Sequence, residues 1–413
     1  MKIISPTNTR ARQRLVDRRQ RSDPRVARQV AQIVDDVRRR GDRAVREYAR
    51  QFDRLTGPIE VPIRDIRKGA TRTPPAVRAA ITRAAKNIRR IAAKQVPAEW
   101  RATTAPGVVI EQRVTPLARV GCYVPGGRYP LPSSLLMTAI PARVAGVPEI
   151  VAACPSLDPA VCSAALESGV SRLFRIGGAQ AVAAMAYGTS TVPRVEKIVG
   201  PGSAYVAAAK AYVASDCPID FFAGPSEIVV VAGARSNADW IASDLVAQAE
   251  HDPDARAVLI TTSVRLARAV SLAVEQQLES HPSAKPSIKK HGVAVVTRSL
   301  NEAIGLANEI GPEHAVCESD AVAAKLTTAG TVFVGAYSAQ AAGDYATGSN
   351  HVLPTAGAAK FRGGLSAADF VRVSSVQRLT HKGLRRLAPT IISLANAEGL
   401  IAHAASIAVR LRT

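Results

Sequence analysis

Apolar residues at helical spacing and short β-rich apolar runs give this chain two successive styles. Between residues 10 and 52, Val26, Val30, Ile33 and Val37 recur among charges and predict a helix. Gly41-Asp42 breaks that pattern, and a second helix is predicted to continue to Phe52. Residues 75–95 read as another basic amphipathic helix. From Val109 onward, short apolar runs alternate with Ala-rich helical stretches. The runs Val120–Val124, Ile150–Ala153, Leu173–Ile176 and Lys197–Val199 predict strands. Helices are predicted after them over 133–147, 158–167, 179–187 and 203–213.

A second series begins at Ile228–Val231, followed by a helix over 237–250. Strands at 257–260, 293–296 and 331–334 enclose helices near 264–279 and 300–309. Strand–helix repetition predicts parallel sheets covered on both faces. Two series of similar size predict two related α/β units. Residues of about 366–413 read as a helical tail.

Length changes the picture: 413 residues exceed one compact core, so two or three domains are expected. Aromatics are scarce at 4%, which leaves Ala, Val, Leu and Ile to fill the core. No apolar stretch reaches the roughly 18 residues that span a bilayer. The segment Met1–Pro6 lacks an apolar signal core, so a cytoplasmic location is expected. The formal charge is +21. Its basic residues are spread along the chain without interleaved aromatics, which favours a solvated Arg-rich surface over nucleic-acid binding. Cys122, Cys154, Cys162, Cys217 and Cys317 form no CxxC pair, which argues against a disulfide framework or a thiolate zinc site. Cys122 and Cys317 flank polar motifs and stand as candidate thiols.

Of seven histidines, four lie in polar, Gly- or Ala-rich settings: His251, His314, His351 and His403. Each has a carboxylate or amide nearby. Gln248 and His251 are three apart and share a helix face. Glu313 adjoins His314, and Asp344 precedes His351 in a Gly-rich loop. Nitrogen and carboxylate donors from distant segments suit a catalytic metal site. Solvent-facing polar turns are the bland alternative. Gly-rich loops follow several strands: Pro125-Gly126-Gly127, Gly177-Gly178-Ala179-Gln180, Gly200-Pro201-Gly202-Ser203 and Ala223-Gly224-Pro225-Ser226-Glu227. Loops at the carboxyl ends of parallel strands commonly bind ligands, and helix N-termini there suit phosphate. None is a complete G-x-G-x-x-G.

Taken in order, these motifs resemble the histidinol dehydrogenase family. The resemblance runs from Arg38-Arg39-Arg40-Gly41-Asp42, with Tyr48 and Phe52, through Tyr123–Gly127, Gly177–Gln180 and Lys197–Gly202. It continues through Ala223–Glu227, Gln248–His251, Pro312–His314 and Gly343–Tyr345. Asn350–Thr355, Glu398-Gly399-Leu400 and His403 complete it.

The resemblance implies one zinc per subunit on Gln248, His251, Asp344 and His403. It implies a homodimer with exchanged tails, so that His403 reaches the partner's site. Glu313 and His314 become the acid–base residues. Ser226, Gln248, His251, His314, Asp344, His351, Glu398 and His403 become substrate contacts. Tyr123, Gln180 and Ser203 align with NAD contacts, and Ser203 departs from the family's usual Asn.

The implied fold is two incomplete Rossmann-like parallel-sheet domains with helical N-terminal and C-terminal extensions. The expected division is an arm over 1–20, a discontinuous domain over 21–120 and 228–365, a second domain over 121–227, and a tail over 366–413. The implied reaction oxidises L-histidinol through L-histidinaldehyde to L-histidine with two NAD. Two rivals remain at this point. One is a zinc- and NAD-dependent dehydrogenase of another amino or sulfonated alcohol, against which the pattern at Glu398 and His403 argues. The other is a non-catalytic basic nucleic-acid-binding protein.

Overall fold

The computed structural model describes residues 1–17, 23–126, 129–222 and 224–412. Residues 18–22 of the first predicted helical region, Gly127 and Ala223 of two Gly-rich motifs, and Thr413 lie outside the described residues. In chain order the described strands are β1 (Lys2–Ile4), β2 (Glu60–Val61), β3 (Trp100–Ala105), β4 (Val108–Pro116), β5 (Arg119–Tyr123), β6 (Glu149–Ala153) and β7 (Arg172–Phe174). They continue with β8 (Lys197–Val199), β9 (Glu227–Ala232), β10 (Arg256–Thr261), β11 (Val293–Val296), β12 (His314–Cys317), β13 (Thr331–Val334) and β14 (Val371–Leu379).

Two parallel sheets dominate. One has the order β2-β7-β6-β5-β8, with β2 antiparallel to β7. The other has the order β1-β11-β10-β9-β12-β13 and is parallel throughout. The same path is traced twice. From β5, and again from β9, the chain steps twice to one side and then returns to the other side. Each sheet therefore has a switch point, between β5 and β8 and between β9 and β12, where open α/β sheets form a ligand crevice. This is the α/β architecture with two related units that the strand–helix alternation predicts.

Helix packing corrects the expected grouping of 21–120 with 228–365. Val30, Val34 and Val37 of helix Pro24–Arg40 are buried with Val182 and Met185 against the five-stranded sheet. Ile66, Ile81 and Ile88, from helices Ile63–Thr71 and Pro75–Ala92, pack on its other face with Ile140 and Val161. Each fully buried Val or Ile side chain contributes about 1.5–3 kcal/mol, so these stripes fasten the helices to that sheet. The expected arm over 1–20 is also more than an arm. Residues 2–4 form an edge strand of the six-stranded sheet, with Ile4 buried.

Local signals explain the helix boundaries. Asp23 accepts from the Arg25 N–H and Pro24 opens the first long helix. Gly41 at φ 56° ends it, a conformation costly for a side chain. The tail is not wholly helical as expected. Val371–Leu379 forms β14, antiparallel to β4 in the three-stranded sheet β14-β4-β3. Helices His381–Ala397 and Ile401–Val409 follow. Among the described residues no helix is long and apolar enough to cross a membrane.

Candidate active site

Seven predicted site residues converge at the amino edge of the six-stranded sheet. Ser226 precedes β9, Glu313 and His314 enter β12, and Gln248 and His251 end the helix that leads to β10. Asp344 lies on helix Gln340–Tyr345, and His351 on the loop after it. The sequence reading associated these groups with carboxyl-end loops. Only the Gly-rich loops of the five-stranded sheet lie at carboxyl ends, and the β8–β9 linker joins the two edges.

A relay of hydrogen bonds orders the cluster. Gln248 Nε2 donates to Ser226 Oγ at 2.6 Å, and Ser226 Oγ donates to Glu313 Oε2 at 2.5 Å. The Glu227 N–H also donates to Glu313 Oε2, at 2.9 Å. With its amide nitrogen so engaged, Gln248 keeps a buried Oε1 without a hydrogen-bond partner. Such an orphaned acceptor is costly to bury and suits a cation or a donor. His251 Nε2 lies 3.7 Å from Asp344 Oδ2, and its side chain is half-exposed.

His314 is almost fully buried. Its Nδ1 faces the Glu227 carbonyl at 3.3 Å, which can only accept, so Nδ1 carries the proton. Nε2 is the ring nitrogen turned towards Asp344. It lies 4.0 Å from Asp344 Oδ1. His351 Nδ1 donates to the Asp344 carbonyl at 3.0 Å.

Charge follows this geometry. Burial pushes the Glu313 carboxyl above the usual carboxylate range, against the pull of His314 and Ser226. Burial would also raise Asp344, but the His251 hydrogen bond and nearby imidazoles hold it below its ordinary value. The bond to Asp344 raises His251. Burial lowers His351.

Three residues absent from the sequence reading belong here. Gln340 Nε2 donates to Asp344 Oδ2 at 2.7 Å and approaches His314 Nε2 at 3.5 Å. Its spacing of four from Asp344 on one helix was the available signal. Asp244, four residues before Gln248, accepts a backbone hydrogen bond from Gln340, and burial pushes its carboxyl up to about 6. Asp53 accepts from the Gly177 N–H at 2.9 Å and from Gln180 Nε2 at 3.0 Å. No local sequence signal marks it.

The expected NAD contacts lie in the other unit. Tyr123 is buried at the carboxyl end of β5, and its hydroxyl accepts from the Gly178 N–H at 3.0 Å. Ser203 is exposed at the start of helix Ala204–Val213, with no side-chain capping bond. Glu398 and His403 are exposed on the tail and make no hydrogen bond or ion pair with the Gln248–Asp344 cluster among the described residues. The thiol candidates do not survive. Cys122 is buried and its thiol is pushed up to about 12 by burial, and burial also raises Cys317.

Gln248 Oε1, His251 Nε2 and the Asp344 carboxylate are the oxygen and nitrogen donors that zinc accepts, but one chain supplies three rather than four. Among the described residues no group of three His, Cys, Asp or Glu is placed to hold a metal. The donor chemistry suits zinc, with a fourth position left for a further ligand.

Two half-Rossmann sheets, with titratable groups at the edge joined to the crevice, define an α/β protein with a ligand crevice at its strand ends. The family model for histidinol dehydrogenase matches residues 16–411. Histidinol dehydrogenase of Geobacter sulfurreducens is 45% identical over 397 residues, covering 93% of this chain and 92% of its own. That of Brucella suis is 46% identical over 400 residues, covering 94% and 93%. The crystal structure of histidinol dehydrogenase from Elizabethkingia anophelis is 32% identical, with a TM-score of 0.94 over 100% of this chain and 98% of that one. The chain belongs to the histidinol dehydrogenase family.

Proposed function

We propose that this protein oxidises L-histidinol to L-histidine through L-histidinaldehyde, with two NAD and one zinc per site. The observation that carries this reading is the orphaned Gln248 Oε1 beside the His251–Asp344 pair, next to Glu313 and His314. Gln248, His251 and Asp344 would hold the zinc, with His403 of a second copy as the fourth ligand. Bound zinc would act as a Lewis acid that orients the amino alcohol, and NAD would accept hydride.

The chain's own groups move the protons. His314 Nε2, approached by Gln340 Nε2 at 3.5 Å until substrate enters, is placed to accept the alcohol proton when the carbinol hydride would pass to the first NAD. Glu313, raised by burial, takes a proton from the water that adds to the aldehyde carbonyl. When the hydrate's hydride would pass to the second NAD, His314 is placed to take one hydroxyl proton, and the carboxylic acid so formed releases the other to solvent as the carboxylate. Ser226 holds Glu313 in line, and His351 and Glu398 complete the substrate contacts. Tyr123, Gln180 and Ser203 border the NAD crevice at the carboxyl edge of β5 and β8.

Purified enzyme given L-histidinol should release two NADH per histidine. No NADH from L-histidinol, or one NADH with histidinaldehyde as the final product, would overturn the assignment. The two steps also separate by mutation. Glu313→Gln cannot take the hydration proton, so histidinaldehyde oxidation should slow by about 10²-fold or more, beyond any loss in the first hydride transfer. Single-turnover measurement of each half-reaction checks this, and equal losses would remove the role.

A further inference from the structure

Lys210 and Asp220 form an ion pair shut away from water, with side chains 2% and 0% exposed. A buried pair is an expensive way to stabilise a core, and apolar residues of similar volume often serve as well or better. Its contacts suggest what it is for. Lys210 Nζ donates to the Gly200 carbonyl at 3.0 Å. Asp220 Oδ2 accepts from the Gly200 N–H at 2.8 Å. The two charges thus hold both backbone polar groups of a single residue. Asp220 Oδ1 also accepts from the Phe221 N–H at 2.7 Å.

That residue stands at the switch point. Gly200 follows β8, has φ 121°, and a Cβ there would meet the Tyr123 carbonyl oxygen at 2.1 Å. Pro201, Gly202 and Ser203 follow, and Lys210 reaches back from the helix that they open. The Asp220 carbonyl accepts from Arg362, whose guanidinium lies 4.8 Å over the Phe221 ring. The Gly224 N–H, further along the same linker, is bonded to Thr355, four residues after His351. The pair therefore joins the loop, its helix and the strap that comes from the acid–base cluster.

We propose that Lys210 and Asp220 are positioning residues that fix the Gly200–Ser203 loop in the shape that receives the dinucleotide. This rests on the reading that NAD occupies the crevice between β5 and β8. Neither side chain touches the cofactor in this account. They act through the Gly200 backbone, and the effect should fall on the cofactor rather than on L-histidinol.

The deciding variant is the double replacement Lys210→Met with Asp220→Leu, which removes both charges and strands neither. NADH affinity is read by fluorescence titration, alongside the melting temperature, zinc content and half-saturation by L-histidinol. Positioning predicts roughly tenfold or more weaker NADH binding, because small misplacements of a binding frame are costly. L-histidinol half-saturation should hold, while a fall in melting temperature reports only the Gly200 and Phe221 backbone groups left without partners. Unchanged NADH affinity in a folded double variant overturns the proposal. Should the double variant not fold, Lys210→Arg carries the same comparison, since its larger fork cannot keep both the Asp220 and Gly200 contacts in that space. Its NADH affinity should fall while L-histidinol half-saturation holds, and an unchanged affinity overturns the proposal. Ser203→Trp, which fills the loop mouth, separates the two readings. If it also leaves NADH binding unchanged, the crevice assignment itself fails. If it weakens binding while the double variant does not, only the clamp fails.

Discussion

Purified His251→Ala protein is expected to hold less than stoichiometric zinc and to lose activity with it. His251 Nε2 lies 3.7 Å from Asp344 Oδ2, on the same helix end as the orphaned Gln248 Oε1. Removing the imidazole leaves a carboxylate and an amide oxygen from this chain, too few for a tetrahedral site. Loss of an outer-shell partner alone costs 10–100-fold in metal affinity, so loss of a ligand should cost at least about 100-fold. Metal analysis after dialysis reads the effect directly. A folded variant with full zinc would show that His251 is not a ligand, and its half-exposed ring would then belong to the substrate pocket alone. Gln248→Ala should follow the same pattern.

The sequence made the strand–helix alternation legible because each apolar run is short, β-rich and followed by an Ala-rich helix. Ile228–Val231 and Val293–Val296 are of this kind and lie within β9 and β11. β12 is only His314–Cys317, too short and too polar at its start to read as more than a strand entrance. β14 was missed because Val371, Val373 and Val376 break the two-residue alternation at Ser374-Ser375 and the strand is largely exposed. Its partner β4 lies more than 250 residues earlier in the chain, and no local pattern carries such a pairing. The misplaced grouping of residues 21–120 has a similar cause. An apolar stripe such as Val30–Val34–Val37 says that a helix needs a sheet, not which sheet.

The site was legible where polar residues sit at fixed spacing, as with Gln248 and His251, or Glu313 and His314. Its supporting groups were less so. Gln340 and Asp244 each lie one helical turn from a named residue, a signal open to any reader of the period. Asp53 reaches Gly177 and Gln180 only through the tertiary fold.

Subunit mixing is expected to restore activity that neither parent has. Helix Ile401–Val409 buries only Ala404, while Ile401 and Val409 are 65% and 56% exposed. An apolar helix left in water is a surface that a partner covers. His403 on that helix is itself exposed and makes no hydrogen bond to its own chain's cluster, where the described residues place no group of three His, Cys, Asp or Glu to hold a metal. A crossed tail satisfies both needs at once. His403→Ala and His251→Ala chains should each be inactive. In a heterodimer with crossed tails, one site collects both defects and the other receives none. Fully exchanged equal mixtures then contain about half heterodimers, each with one intact site, so activity should recover to roughly a quarter of the wild-type level per chain by symmetry of the dimer. If each tail instead folded back on its own chain, every site in the mixture would keep one defect. Mass spectrometry of the native mixture establishes that heterodimers have formed. Their presence without recovered activity would place His403 in the site of its own chain or outside the site altogether.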